Sequence, residues 1–117
     1  MKKYQGRCHC QAVTFAFAHP EITRILRCDC SMCARKGGAM TTGTVPPDQI
    51  EISDPGGFLT TYQFGTMTAR HHFCRRCGIH TFVETRLNPG QYRINLGCVD
   101  GLDALRLPES LYDGRSL

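Results

Sequence analysis

The sequence predicts a mostly β chain with antiparallel sheets, folded as one small domain over residues 1–117. Short runs rich in β-branched and aromatic residues recur along it, separated by Pro, Gly, Asn and Asp turns. No segment sustains the 3.6-residue apolar period of a long helix. Eight cysteines in 117 residues, grouped at C-x-C and C-x-x-C spacings, add metal clips to that β framework.

Residues 12–17 form the first predicted strand: Val13, Phe15 and Phe17 alternate with smaller residues, and His19-Pro20 ends it. Residues 22–28 form a second, delivering the chain into Cys28-Asp29-Cys30-Ser31-Met32-Cys33. Residues 34–38 read as a short helical turn stopped by Gly37 and Gly38. Strands are predicted at 39–45, broken by Pro46-Pro47, and at 49–52, ended by the turn Asp54-Pro55-Gly56-Gly57. Residues 58–64 form the next, with Phe58, Tyr62 and Phe64 assigned to the core. Residues 69–73 lead into Cys74-x-x-Cys77, residues 78–84 leave it, and after Asn88-Pro89-Gly90 the last clear strand is 91–98. The tail 102–117 fits neither period, since Leu102, Leu105 and Leu107 match no regular face.

The formal charge is +4, but seven metal-bound thiolates and two Zn²⁺ ions would bring it to about +1. There is no long Lys/Arg run, so a nucleic-acid partner is not expected. No apolar run reaches the ~20 residues of a membrane helix. No signal peptide is legible at Met1-Lys2-Lys3, and the cysteine spacings suit metal knuckles better than a disulfide framework, so the expected setting is a reducing cytoplasm.

The thiols divide into two expected sites. Cys8, Cys10, Cys74 and Cys77 come from two knuckles far apart in sequence, a common way to build a closed tetrahedral zinc site that ties distant segments together. Cys28, Cys30 and Cys33 offer three thiolates from one loop. Three protein ligands plus an exchangeable position is how catalytic zinc is usually held, and such a position would suit an incoming thiol. A fourth ligand could close the triplet instead, with Cys98 the leading candidate and Asp29, His71, His72 and His80 behind it. Iron or an iron–sulfur cluster is a further option for such cysteines. Arg35, Lys36 and Arg70 are candidate carboxylate partners, or else surface charges. His71 and His72 face opposite sides of a strand, so one at most should look into the site. Ser31 could donate a hydrogen bond to a zinc thiolate.

Taken together, three groups of residues resemble the glutathione-dependent formaldehyde-activating enzyme family, which includes centromere protein V-like domains. They are Gly6-Arg7-Cys8-His9-Cys10-Gln11-Ala12-Val13, the run from Cys28 to Gly38, and Arg70-His71-His72-Phe73-Cys74-Arg75-Arg76-Cys77-Gly78. Asp29 stands where many members carry His. The resemblance implies a β-tent fold with two zinc ions per chain, a structural one at Cys8, Cys10, Cys74 and Cys77 and a catalytic one at Cys28, Cys30 and Cys33. It implies carbon–sulfur lyase chemistry, in which glutathione or another small thiol forms or releases an adduct with an aldehyde such as formaldehyde. The alternative is a non-catalytic two-zinc interaction module.

Overall fold

The computed structural model describes residues 1–116. Strands β1 (Lys2–Arg7), β2 (Thr14–His19) and β4 (Ile50–Ser53) form an antiparallel sheet in the order β1-β2-β4. Strands β5 (Leu59–Tyr62), β6 (Arg70–Cys74), β7 (His80–Glu84) and β8 (Tyr92–Ile94) form a second antiparallel sheet in chain order. The mostly β expectation holds.

The core fills the space between these sheets. Phe15 and Phe17 alternate inward from β2, as their spacing predicts, and meet Phe82 of β7 and Ile94 of β8. The Phe15 and Phe82 rings pack edge to face with centroids 5.4 Å apart. Ile25, Val45, Leu96 and Val99 complete the cluster, all fully or nearly fully buried.

Several elements depart from expectation. Strand β1 carries two lysines and little apolar surface, so its sequence lacks a strand signal. It forms because it is a sheet edge, where lysine is tolerated, and because Gly6 and Tyr4 face inward. The Tyr4 ring stacks on Phe17, and its hydroxyl accepts from the Ile22 backbone N–H at 2.9 Å. The predicted strand at 39–45 is an irregular segment whose β-bridges to its neighbours, among the described residues, are at Met40 and Val45. Its strand geometry is lost where the buried Thr41 hydroxyl donates to Gly43 O at 2.8 Å, and the carbonyls of Thr41 and Thr42 accept from Arg93 Nη1 at 2.8 and 2.7 Å.

The helix α1 (Ser31–Lys36) starts three residues earlier than predicted, because the Cys30 sulfur caps it by accepting from the Cys33 N–H at 3.3 Å. Gly37 ends it in the left-handed conformation, φ 68°. The run 91–98 is a strand only to Ile94, after which Leu96–Cys98 forms a 3₁₀ turn. Tyr62 and Phe64 are not core: they are 49% and 44% exposed, and Phe58 is half-buried. Their alternation puts them on one face at the edge of a sheet, where Phe58 is covered by the four-cysteine cluster while Tyr62 and Phe64 stay open.

The tail, ambiguous in sequence, forms strand β9 (Glu109–Tyr112), which pairs with β3 (Ile25–Cys28) in parallel. Antiparallel pairing is therefore not universal here. Leu117, the last residue of that tail, lies outside the described residues.

Gly6 sits opposite Phe15 and bridges to Val99. A Cβ there would lie 2.5 Å from the Phe15 ring and 2.9 Å from the Cys98 carbonyl oxygen. Because the backbone oxygen cannot yield as a side chain can, Gly6→Ala is expected to lower the unfolding free energy by about 1–3 kcal/mol, measured by chemical denaturation; unchanged stability would contradict this packing.

Candidate functional site

The sulfurs of Cys8, Cys10, Cys74 and Cys77 all lie within 4.8 Å of one another. Two tight turns bring them together. In the first, Gln11 takes a left-handed conformation (φ 67°) while its N–H donates to Cys8 O. In the second, Gly78 does so (φ 78°) with its N–H on Cys74 O at 2.7 Å. Cys8–Cys10 and Cys10–Cys74 sulfur distances are both 3.7 Å. Four sulfurs ~2.3 Å from a central zinc define a tetrahedron with edges of about 3.8 Å, so the group fits such an ion. The Val13 N–H points at the Cys8 sulfur at 3.4 Å, and Val13, Phe58 and Leu59 pack around the cluster.

The sulfurs of Cys28, Cys30 and Cys33 also lie within 4.8 Å of one another. Cys28 ends β3, Cys30 caps α1 and Cys33 is in its first turn, so strand end, cap and helix fix the three together. Burial pushes the Cys33 thiol up to about 12, with the Lys36 charge pulling against it. A cation at this loop is what would let it ionise.

Among the described residues no other His, Cys, Asp or Glu joins the triplet. Cys98, the leading candidate for a fourth ligand, is buried beside the four-thiol group instead. Its sulfur faces the His80 carbonyl at 3.6 Å, and its thiol is pushed up to about 11 by burial and then by Cys8 and Cys77. The Asp29 carboxylate turns to the tail, accepting from the N–H groups of Gly114 and Arg115 at 2.8 and 3.0 Å.

The triplet opens into a cleft of about 510 Å³. One wall is the β6-β7-β8 sheet, where the register sets His71 opposite Val83 and Val83 opposite Arg93. His71 alone of the neighbouring pair faces the cleft. His72 is on the other face, with Nε2 2.7 Å from Glu84 Oε2 and Nδ1 2.9 Å from the Thr61 hydroxyl, and is structural. His80 lies behind His71, ring centroids 6.4 Å apart, and does not line the cleft.

Of the three expected cations only Lys36 reaches the cleft. Arg35 is exposed and donates to Ser31 O, and Arg70 lies 3.6 Å from Glu84 on the far face. Ser31 lines the cleft as the first residue of α1. The cations sequence reasoning missed are Arg86, Arg93 and Arg115, which line the cleft from a turn, from β8 and from the tail. Lys36 has no carboxylate within ion-pair distance among the described residues; its Nζ donates to His71 Nδ1 at 3.0 Å. Burial, then the Lys36 charge, holds His71 down at about 4, so it is the neutral acceptor of that bond.

Gly114 was also missed. It is buried, and a Cβ on it would collide with the Cys28 sulfur and come within 2.9 Å of Cys30 Cβ. No local signal marks it, because what matters is an absent side chain facing residues 86 and 84 positions away.

The glutathione-dependent formaldehyde-activating enzyme family model matches residues 3–114, a span that contains both thiol groups and Gly114. The crystal structure of a Rhodobacter sphaeroides protein is similar to the chain at 36% identity and a TM-score of 0.79, covering 91% of this chain and 99% of that one.

Gly114→Ala should lift the tail from Cys28, so in the metal-free, reduced protein Cys28 is expected to alkylate several-fold faster, read by mass spectrometry; an unchanged rate would show that the tail does not shield it. His71 should titrate by NMR near 4 rather than near 6.5. Its folded value lies below its unfolded one, so its contribution to stability falls as pH drops from 6.5 towards 4. In Lys36→Met the midpoint should rise, since one of its depressing charges is gone; a midpoint that stays put would remove the Lys36–His71 contact.

Proposed function

Because the chain belongs to the glutathione-dependent formaldehyde-activating enzyme family, we propose that it is a zinc-dependent enzyme of the carbon–sulfur lyase type. It forms or cleaves an adduct between glutathione, or another small thiol, and an aldehyde such as formaldehyde. The observation that carries this reading is the contrast between the two thiol groups: four converging sulfurs in one, and three on the wall of an open cleft in the other.

In this reading Cys8, Cys10, Cys74 and Cys77 hold a structural zinc, and Cys28, Cys30 and Cys33 hold a catalytic one with a position left for substrate. When bound there, the ion would supply positive charge that favours the ionised form of an incoming thiol. The chain's own residues do the rest. Arg86 offers a cationic partner for the thiol's carboxylates, beside Arg93 and Arg115, which the Thr41 and Thr42 carbonyls and the Asp29 carboxylate already hold in place. The Tyr112–Gly114 stretch packs against the triplet and limits water there.

Addition joins the thiol sulfur to the aldehyde carbon, the C=O π pair becomes a lone pair on oxygen, and the thiol proton ends on that oxygen. Cleavage is the reverse. The Lys36 ammonium has three N–H groups, and His71 takes one. The remaining two can meet the oxygen as negative charge develops on it. The alternative of a non-catalytic module needs the triplet closed by a fourth ligand, and Cys98, Asp29 and His72 are all engaged elsewhere.

Zinc content per chain, measured under reducing conditions, tests this. The wild type is expected to hold two zinc ions and to add glutathione to formaldehyde faster than the uncatalysed reaction. Cys30→Ser is expected to keep its fold, hold about one zinc and lose the catalysed rate. One zinc in both proteins would sink the catalytic reading.

A further inference from the structure

The cleft exceeds what formaldehyde requires, in size and in character. Formaldehyde has two heavy atoms and so occupies on the order of twice a water's ~30 Å³, roughly a tenth of the cleft's 510 Å³. Glutathione occupies more, but it carries polar groups along most of its length and matches the arginines, not an apolar wall.

The apolar wall lies at one end. Beyond the Arg70–Glu84 pair, where β6 begins and β7 ends, the cleft is lined by Phe64, Ala69 and Leu87, continuing outward from Val83. Phe64 is 44% exposed and Leu87 57% exposed. The ring of Phe64 is stacked between Tyr62 and His71, centroids 5.7 and 5.8 Å apart and interplanar angles 25° and 22°. Three near-parallel rings thus run from the open rim to the His71 that holds Lys36. A large apolar ring held in place on a rim, with a second exposed apolar side chain beside it and both continuous with the cleft, marks a surface that a ligand covers.

We propose that the carbonyl substrate of this chain is an aldehyde bearing an apolar alkyl or aryl group, which lies against Phe64 and Leu87 while its carbonyl carbon meets the thiol beside the triplet. This rests on the lyase-type reading and names its electrophile. The reaction is RSH + R′CHO → RS–CH(OH)R′. The S–C bond forms, the carbonyl π pair moves to oxygen, the thiol proton follows it, and no further reactant is consumed. The apolar group R′ is transferred from water to the wall, a gain formaldehyde cannot supply.

Binding and turnover separate this inference from the reading beneath it. S-methylglutathione and S-hexylglutathione are unreactive thioethers that differ by five methylenes, each worth about three- to fourfold in affinity when buried. Calorimetry on the zinc-loaded full chain is expected to show the hexyl compound binding at least thirtyfold tighter. Phe64→Ala and Leu87→Asp should each cut that preference about tenfold or more. With glutathione as thiol, the ratio of catalysed to uncatalysed rate should be larger for heptanal than for formaldehyde. Equal affinity of the two thioethers, with formaldehyde still turned over, overturns the inference and leaves the lyase-type reading standing. A hexyl preference with neither aldehyde turned over sinks that reading and, with it, the aldehyde proposed here. A dimer dispersed by Leu87→Asp, with no hexyl preference, would make the rim an interface between copies of the chain and overturn the proposal.

Discussion

The fold depends on four sulfurs that cannot be left to themselves. At 3.7 Å, neighbouring sulfurs of the Cys8, Cys10, Cys74, Cys77 group are in van der Waals contact. Two unit charges about 4 Å apart repel by ~4 kcal/mol at an effective dielectric near 20, so four thiolates alone would push the two knuckles apart. Held as thiols or around a cation, they instead pin the loop between β1 and β2 to the turn between β6 and β7, joining the two larger sheets at one end. The core has few large side chains, so this junction matters more than it would in a larger protein. Both knuckles reach their shape through a left-handed residue, one of them the non-glycine Gln11, whose local cost the rest of the site must offset.

The triplet answers to different constraints. Its three sulfurs come from contiguous sequence, yet its enclosure comes from the far end of the chain. Parallel pairing of β9 with β3 sets Tyr112 beside Cys28, the Asp29 carboxylate grips the Gly114 and Arg115 amides, and the missing side chain at Gly114 lets the backbone lie against the Cys28 sulfur. The same three residues that enclose the triplet also place Arg115 at the cleft.

What was legible in the sequence was local. Cysteine spacing specifies which thiols can share an ion, so both groups of sulfurs were readable from residue counts. Strand β2 was readable because Val13, Phe15 and Phe17 alternate in a buried sheet. Long-range facts were not readable. The opposite side chains of His71 and His72 follow from strand geometry, but which of them meets the cleft depends on where the sheet packs. Tyr62 and Phe64 alternate like core residues, yet periodicity shows only that they share a face, not that anything covers it. Arg86, Arg93 and Arg115 share no motif; a turn, a strand and a tail bring them to one cleft. Strand β1 was hidden because edge strands favour the lysines that blur a strand signal.

The charges around Lys36 set what the proposed site would ask of a ligand. Lys36 is half-buried, with burial pulling its ammonium down and the three thiol sulfurs of the triplet pushing it back up. Its neighbours His71 and His80 are held neutral, at about 4 and about 3, by burial first and by the Lys36 charge second. In the proposed metal-bound state three thiolates around a dication leave one negative charge, and Lys36 cancels it. The immediate surroundings of the triplet are then neutral before substrate arrives. An incoming thiolate brings the next negative charge, and the uncommitted arginine lining the cleft, among the described residues, is Arg86, since Arg93 is tied by two backbone carbonyls and Arg115 lies 3.5 Å from the Asp29 carboxylate. A neutral thiol would gain little from this arrangement, whereas an ionised thiol with carboxylates of its own gains at both ends.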